Sequence, residues 1–233
     1  MKKVLIAIQA RTTSTRLPGK VLMMLPGKKT ILQKVVGSCQ RSAAFVNDKS
    51  NDINCGVVLL TPHGDKINSM RHDVPVFSGP EHDVLTRYVQ AAKSYKSDYI
   101  VRITSDCPMI PSGLITKHIF TATNHGLDYT TNTFPAARTY PDGFDCEVIS
   151  SRLLNWLDET AEHIKHREHV TNLLHEIRPD WCKKGGGYGP VDNQHLKLSI
   201  DEKADYDFSC MYIDYLQTKI DWLKNNCEVI FSW

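Results

Sequence analysis

Short apolar runs alternate along the chain with segments in which apolar residues recur every three or four positions. Runs of the first kind are typical of buried strands, and the second spacing is typical of one face of a helix. Strand-like runs cover residues 4–8, 56–60, 74–77, 99–103, 146–149 and 196–200. Helical spacing covers residues 31–43, 82–95, 114–123, 152–161, 167–177 and 206–216.

Strands separated by helices predict an α/β fold with a mainly parallel central sheet and helices on both faces. The length of 233 residues suits a single domain, residues 1–233, with one substantial core. The polar, turn-rich stretch at about 128–150 is expected to be a small excursion that covers substrate or pairs with a second subunit. The glycine-rich segment 183–189 fits no phosphate-binding motif, and we expect a flexible surface loop or a lid there.

Composition argues against several classes of partner. The 28 basic and 26 acidic residues give a net charge of +2, so no electrostatic argument favours nucleic acid or a membrane. Seven scattered cysteines without a Cys-x-x-Cys pair indicate reduced thiols. The first apolar run has only five residues, whereas a membrane span needs about 20. We therefore expect a cytoplasmic protein.

A polar loop rich in hydroxyl groups follows the first predicted strand. It reads Gln9-Ala10-Arg11-Thr12-Thr13-Ser14-Thr15-Arg16-Leu17-Pro18-Gly19-Lys20. Arginine matches phosphate oxygens bidentately, and Gly19 permits close backbone approach. Because ligands of such sheets bind beyond the carboxyl ends of the strands, the three cations of this loop predict a polyphosphate site. A solvated basic loop is the alternative.

Aspartates stand at the ends of two other predicted strands. Asp106 follows the run 99–103, and Asp201 follows the run 196–200. Mg²⁺ prefers one or two carboxylates together with phosphate oxygens, so the pair could share one metal ion. The alternatives are a turn cap before Pro108 and a helix N-cap.

Two further clusters have both a functional and a structural interpretation. Asp142, Asp145 and Glu147 could bind sugar hydroxyls or form a turn that enters a strand. The histidines at 163, 166 and 169 are spaced by three and lack the His-Glu-x-x-His pattern. We expect a solvated or substrate-facing helix there in preference to a metal site.

Several segments together resemble one known family. The opening loop with Val21-Leu22 resembles the signature of the SpsF-type cytidylyltransferases, which belong with the CMP-sugar synthetases among the GT-A-like nucleotidyltransferases. Segments 78–88, 102–108, 140–148, 167–171 and 198–201 resemble further family segments in the same order. The matches extend to about residue 208 and are specific only in combination.

The resemblance implies a Rossmann-like, GT-A-type fold with three α/β/α layers. It also implies transfer of CMP from CTP to a sugar acid, or to a phosphorylated or phosphonylated acceptor, with release of pyrophosphate. Mg²⁺ would be the cofactor, a homodimer the assembly, and polysaccharide or glycoconjugate biosynthesis the setting.

The resemblance also assigns residues to roles. The catalytic residues would be Arg11, Lys20 and Asp106, and the metal ligands Asp106 and Asp201. The nucleotide would contact Ile8, Gln9, Ala10, Arg11, Thr15, Arg16, Gly19, Lys20, Ser78, Gly79, Arg87, Thr104 and Ser105. The acceptor would face Asp142, Asp145, Glu147, Arg167 and His169.

Departures from the family pattern leave the acceptor open. Thr13 replaces a common glycine, Cys107 a common polar residue, and Glu202-Lys203 a common Thr-Pro-Glu; the insertion 182–194 is unusual. Three alternatives remain: a nucleotidyltransferase for another base, a GT-A glycosyltransferase and a non-catalytic nucleotide-binding module. Thr104 and Ser105 precede Asp106, so the Asp-x-Asp motif of glycosyltransferases is absent, and the retained charged residues argue against a non-catalytic module.

Overall fold

The computed structural model describes residues 1–133, 138–187, 189 and 191–226, with the backbone alone for 222–226. The strands are β1 (Lys2–Gln9), β2 (Met24–Leu25), β3 (Lys29–Thr30), β4 (Ile53–Pro62), β5 (Val76–Gly79), β6 (Tyr99–Thr104), β7 (Tyr129–Thr131), β8 (Glu147–Ser150) and β9 (Lys184–Gly186). The helices are α1 (Ile31–Lys49), α2 (Val84–Tyr95), α3 (Ser112–His125), α4 (Ser151–Thr160), α5 (Ile164–Glu168) and α6 (Lys203–Asn226). Short 3₁₀ turns cover Lys20–Leu22, Lys66–Ser69 and Asn172–His175.

Seven strands form one central sheet in the order β5-β4-β1-β6-β8-β7-β9. β1 pairs in parallel with β4 and β6, β4 with β5, and β7 with β9; β8 runs antiparallel to β6 and β7. Since β1 lies between two parallel partners, its apolar residues are buried on both faces. The sheet confirms the predicted mainly parallel α/β fold.

Alternate residues of β1 enter two separate apolar layers. Ile6 and Ile8 pack with residues of α1 and α3 on one face. Leu5 and Ala7 pack with residues of α2 and α4 on the other. Because successive side chains of a strand point to opposite faces, one apolar run serves both layers and produces the three-layer arrangement.

Two predicted elements are wrong. Residues 196–200 form no strand of the sheet; they make one bridge, between Asp142 and Lys197, and lie across the loops at the strand ends. The predicted helix 167–177 is interrupted at Val170, whose φ of +56° is incompatible with helical continuation. In the first case the alternation reflects burial of Leu198 and Ile200 without a strand, and Ile200 packs with Leu25 and Ile31. In the second case the periodic residues are divided between the end of α5 and the 3₁₀ turn Asn172–His175.

Within the glycine-rich segment, Lys184–Gly186 form strand β9 at the edge of the sheet and pair with β7. The prediction of a flexible loop is therefore wrong for these residues. A Cβ on Gly185 would lie 2.6 Å from a methyl carbon of Leu127, and one on Gly187 would lie 2.8 Å from Nε2 of His118. Glycine is therefore needed here for close packing. Residues 188 and 190 lie outside the described residues.

The predicted excursion is narrower than 128–150. Tyr129–Thr131 and Glu147–Ser150 are strands of the central sheet, and the sequence pattern missed the first of them. The connection between them, residues 132–146, leaves the sheet at the end where β6 also terminates. Residues 134–137 lie outside the described part. A contact with substrate or with a second subunit stays a prediction.

Buried His118 on α3 makes stability depend on pH. Burial, with the nearby Lys117 adding to it, lowers the pKa of His118 from 6.5 to about 4. Its Nδ1 lies 3.4 Å from the Thr130 hydroxyl, and its Nε2 is a buried atom without a hydrogen-bond partner among the described residues. The unfolded chain therefore binds more protons than the folded protein between these two pH values.

We expect the free energy of unfolding to fall as the pH drops from about 6.5 to 4, by up to roughly 3 kcal/mol more in the wild type than in His118→Leu. Carboxylates contribute to acid unfolding in both proteins, so the difference between them isolates His118. Urea unfolding at several pH values measures it, and His125→Leu, on the exposed end of α3, is the control. Parallel pH profiles for wild type and His118→Leu would contradict the assignment.

Candidate active site

The loop after β1 closes on itself and returns the chain to the carboxyl edge of the sheet. The Gly19 amide donates to the Thr12 carbonyl at 3.0 Å, and Gly19 has the left-handed φ of +68° that glycine adopts readily. Thr12 in turn donates its amide to Asp65 at 2.8 Å. This closure sets Lys20 on a 3₁₀ turn beside the end of β1.

A polar cleft of about 220 Å³ lies at this edge. It is lined by Gln9, Arg11, Ser14, Thr15, Arg16, Lys20, Val21, Ser105, Asp106 and Asp201. The structure thus brings together three segments that are far apart in sequence. The expected meeting of strand ends accounts for the loop after β1 and for Asp106 after β6, whereas Asp201 follows residues 196–200, which form no strand of the sheet. All three cations of the opening loop, and both aspartates proposed for metal, are in this set.

Lys20 is the centre of the charge arrangement. Its Nζ donates to Asp106 Oδ2 at 3.0 Å, to Asp201 Oδ1 at 3.1 Å and to the Ile200 carbonyl at 2.6 Å. Lys20 is buried, whereas Arg16, whose guanidinium contacts Asp201 Oδ1 at 2.7 Å, is exposed over 58% of its side chain. Both carboxylates therefore contact Lys20, and Asp201 Oδ2 also lies 3.6 Å from Nζ of Lys197.

The electrostatics keep Asp106 ionised. Burial raises the pKa of Asp106, but the Lys20 charge and hydrogen bond outweigh burial and hold that pKa below its ordinary value. An ionised carboxylate is the form that binds a metal ion.

The donor set at the cleft fits Mg²⁺. Two carboxylates that meet around one ammonium group can also reach one divalent ion, with phosphate oxygens and water as its remaining ligands. Within the described residues no group of three or more His, Cys, Asp or Glu side chains forms a dedicated metal cage. Asp106 and Asp201 are therefore the residues that could hold the ion.

Several residues predicted to contact the nucleotide have their side chains elsewhere. Ile8 and Ala10 are core residues, so only their backbone is available to a ligand. Arg87 is 1% exposed and donates to the carbonyls of Pro80 and Glu81. A Cβ on Gly79 would lie 2.9 Å from Cγ of Arg87. The pair Gly79 and Arg87 thus orders the turn after β5, and Arg87 does not line the cleft.

Two other predicted nucleotide contacts have partners within the protein. The Ser78 hydroxyl lies 3.3 Å from that of Thr61, and the Thr104 hydroxyl lies 3.2 Å from the sulfur of Cys107. Ser105, which lies between the end of β6 and Asp106, does line the cleft.

A second polar cavity, of about 370 Å³, lies beside Glu147, the first residue of β8. It is lined by Arg102, Thr133, Asp145, Glu147, Lys165, His169, Thr171, Asn172 and His175. Three of the five residues predicted to face the acceptor are in this set: Asp145, Glu147 and His169. The turn that carries His169 contains the left-handed Val170, a strained conformation for a β-branched residue and one that often marks functional sites.

Glu147 anchors this cavity from within. Its carboxylate accepts hydrogen bonds from Arg102 and Tyr129, and from the Thr171 hydroxyl at 2.7 Å. Burial raises the pKa of Glu147, but the Arg102 charge and these hydrogen bonds bring it below its ordinary value. Glu147 therefore joins β6, β7, β8 and the turn after α5. Contact between Glu147 and an acceptor stays a prediction.

Arg167 and Asp142, which are also predicted to face the acceptor, do not line the cavity and instead link neighbouring segments. Arg167 donates to Asp83 at 2.6 Å and to Asp158 at 2.7 Å, which ties α5 to α2 and α4. Asp142 accepts from the Ser199 hydroxyl at 2.7 Å. Both side chains position segments that carry other site residues.

Gly143 explains why the Asp142 segment can lie against the segment that carries Asp201. Its φ is +100°, and a Cβ there would lie 2.5 Å from backbone atoms of Leu198 and Ser199. Any larger residue would force these two segments apart.

Asp145 differs from the other carboxylates. Burial raises its pKa to about 6, against the opposing effect of Arg138, which donates to it at 2.6 Å. Asp145 therefore titrates close to neutral pH at the edge of the second cavity.

Sequence reasoning missed several cavity residues: Arg102, Thr133, Lys165, Thr171, Asn172 and His175. Arg102 left a signal, because it is a lone cation inside an apolar strand pattern. The other five become neighbours only through the broken helix around Val170 and the connection between β7 and β8. Among the described residues the three histidines are not part of any group of three or more side chains that could hold a metal ion, and Nε2 of His166 lies 3.1 Å from Glu176.

The cleft, with its cationic loop and paired aspartates at the edge of a Rossmann-like sheet, has the form of a nucleotidyltransferase site. A sequence profile of the cytidylyltransferase family matches residues 5–207. The chain therefore belongs to the cytidylyltransferase family and is an enzyme of the nucleotidyltransferase class.

Relatives support the same assignment. The spore coat polysaccharide biosynthesis protein SpsF of Bacillus subtilis is 32% identical over 212 residues, which are 89% of this chain and 85% of the relative. A solved cytidylyltransferase of Leptospira borgpetersenii is 31% identical with a TM-score of 0.78, and the match covers 100% of this chain and 98% of that one.

A more distant structure shares the fold alone. The CMP:2-keto-3-deoxy-manno-octonic acid synthetase, solved in complex with CTP, matches with a TM-score of 0.60 at 16% identity, over 93% of this chain and 100% of that one. In the described part of the chain, none of the helices has the length and apolar composition needed to cross a membrane.

The buried Glu147 network leads to a stability prediction. Glu147→Gln leaves the Arg102 charge without its partner, and we expect a loss of about 3 kcal/mol or more in the free energy of unfolding. Glu176→Gln, which removes an exposed ion pair near the same cavity, should cause a much smaller loss. Denaturant unfolding of both variants measures the difference, and equal losses would contradict the anchoring role.

Proposed function

We propose that this enzyme transfers CMP from CTP to a hydroxyl-bearing sugar acid, or to a phosphorylated or phosphonylated acceptor, and releases pyrophosphate. The observation that carries the proposal is the convergence of Arg11, Arg16 and Lys20 with Asp106 and Asp201 in one cleft. A triphosphate needs cationic partners, and a divalent ion needs the paired carboxylates.

The residues of the cleft have separate tasks in this reaction. Arg11 and Arg16 bind and orient the triphosphate, and Lys20 neutralises its charge. Asp106 and Asp201 hold Mg²⁺, which supplies charge neutralisation at the α-phosphate when it is bound. The acceptor oxygen attacks the α-phosphorus as the bond to pyrophosphate breaks, so the protein contributes mainly positioning and electrostatic stabilisation.

The nucleoside has a place beside the triphosphate. The base would lie against the backbone of Ile8–Ala10, of which Gln9 lines the cleft, and near the turn after β5, which Arg87 keeps ordered. Backbone groups in this region are suited to hydrogen bonds with a base.

The second cavity is the proposed acceptor site. Its lining combines the cation of Lys165 with His169 and Asn172, and the amide nitrogen of Asn172 is a buried donor without a partner in the described structure. The same holds for Nε of Arg102. Unpartnered donors favour a ligand that brings oxygen acceptors, as a sugar acid does.

The setting of the reaction is part of the proposal. Similarity to a spore coat polysaccharide biosynthesis protein favours a role in cell-surface polysaccharide or glycoconjugate synthesis. We also propose a cytoplasmic location, where CTP is available, and a homodimeric assembly.

An activity screen tests the proposed function. The purified enzyme is incubated with each of the four nucleoside triphosphates, with Mg²⁺, and with a panel of sugar acids and phosphorylated or phosphonylated acceptors, and pyrophosphate release is measured. We expect release with CTP and loss of activity with EDTA. Release with GTP alone would contradict the cytidylyl assignment, and glycosyl transfer from a CDP- or UDP-sugar without pyrophosphate would indicate a glycosyltransferase.

Asp106→Asn should lower kcat by about 10²-fold or more, because the metal site loses a charged ligand. The fold should survive, because Lys20 keeps Asp201 as its partner. Asp48→Asn, on the exposed face of α1, should leave kcat unchanged and serves as the control. Wild-type turnover in Asp106→Asn would show that Asp106 is a turn residue only.

A further inference from the structure

Lys20 uses all of its hydrogen-bonding capacity within the protein. An ammonium group has three donors, and the Nζ of Lys20 has three acceptors: Asp106, Asp201 and the Ile200 carbonyl. In this arrangement it has no donor left for a phosphate oxygen. The phosphate-binding role that the family resemblance gives to Lys20 therefore requires Lys20 to change partners.

The partners of Lys20 are also the proposed metal ligands. Lys20 and a divalent cation compete for the same two carboxylates, and their like charges repel at such short range. The side chains of Asp106 and Asp201 are 28% and 20% exposed, so both can be reached from the cleft. The Lys20 side chain is only 10% exposed and lies on the inner side of the pair.

The reach of Lys20 makes an exchange feasible. Its side chain has four rotatable bonds and starts from the turn that closes the opening loop, next to Arg11 and Arg16 in the cleft lining. Arg16 cannot take over the bridging role, since it contacts Asp201 alone.

From these contacts we propose that Lys20 is an exchangeable counterion that couples metal binding to triphosphate binding. Lys20 neutralises the two aspartates until the metal ion and the triphosphate arrive together, and it then moves from the carboxylates to the phosphates. Metal alone binds weakly because it must displace Lys20 without offering the ammonium a new partner. The coupling to the triphosphate rests on the proposed function; the competition with metal does not.

The test measures binding of Mn²⁺ to the purified protein in the absence of nucleotide, from the electron paramagnetic resonance signal of the free ion. Lys20→Met should bind Mn²⁺ at least about tenfold more tightly than the wild type, since a competing charge is removed. Lys117→Met, an exposed lysine on α3, should bind Mn²⁺ as the wild type does.

The second arm repeats the titration with CTP and no acceptor. After subtraction of the Mn²⁺ that CTP binds in the absence of protein, CTP should tighten Mn²⁺ binding strongly in the wild type. This coupling factor should be clearly smaller in Lys20→Met, because no ammonium group is then present to move from the carboxylates to the phosphates. Lys20 thus has opposite effects on the two ligands: its removal strengthens binding of the metal alone and weakens binding of the triphosphate. A residue that only stabilised the fold would not divide its effects in this way.

Further variants keep the result interpretable. Lys20→Gln provides a second neutral side chain should Lys20→Met fail to fold, which circular dichroism reports. In Lys20→Met/Asp201→Asn the gain in Mn²⁺ affinity should disappear, because one of the two ligands is lost. Unchanged Mn²⁺ affinity in both neutral variants would overturn the proposal. Tighter Mn²⁺ binding without any effect of CTP would uphold the competition and contradict the proposed nucleotide.

Discussion

Two carboxylates at one edge of a sheet must share a cation, and the architecture of the cleft follows from that requirement. Asp106 follows the end of β6, and Asp201 belongs to a segment almost a hundred residues later. Both contact Lys20, which the opening loop places at the same edge of the sheet. Like charges this close are unfavourable without a bridging cation. The closure of the loop through Gly19, and the packing of Gly143 on residues 198–199, are the backbone features that make the meeting possible. The cleft thus brings three cations and two carboxylates together.

The second constraint is the buried charge of Glu147. Three donors from β6, β7 and the turn after α5 converge on one carboxylate, so the wall of the second cavity is specified by hydrogen bonds and not by apolar packing alone. The network strengthens its own hydrogen bonds in a low-dielectric interior, although Nε of Arg102 has no partner among the described residues. It also accounts for the unusual backbone at Val170, which Thr171 holds from one side and the apolar core from the other. The cleft and the second cavity thus depend on different residues: the cleft on Lys20 beside β1, and the second cavity on Glu147 in β8.

Whether an element could be predicted from the sequence depended on whether the burial of its residues leaves a periodic pattern. The core strands β1, β4 and β6 and the helices α1 to α4 were predictable because burial on two faces, or on one helical face, leaves a periodic pattern. The strand expected at 196–200 and the helix expected at 167–177 show the limit of such patterns. Leu198 and Ile200 are buried outside the sheet, where Ile200 packs with Leu25 and Ile31, and Leu173 and Leu174 join the apolar layer of α2 and α4. Their burial therefore leaves the same signature without the regular backbone. The three-residue strand β7 and the glycine-rich β9 are too short to show any period.

The sequence by itself determined the three-layer α/β fold and the meeting of the loop after β1 with Asp106, though not with Asp201, because strand ends in a parallel sheet meet at one edge and residues 196–200 form no strand. Residue type and position along the chain were enough for that. Only the tertiary structure decided which charged groups face a ligand and which are used up inside the protein. Arg87, Arg167 and Glu147 are of types that suit a binding site, yet each has partners within the protein. Arg87 donates to the carbonyls of nearby Pro80 and Glu81, whereas Arg167 and Glu147 have partners from distant segments. Pairing of this kind depends on contacts between residues far apart in the chain, and no local pattern records them.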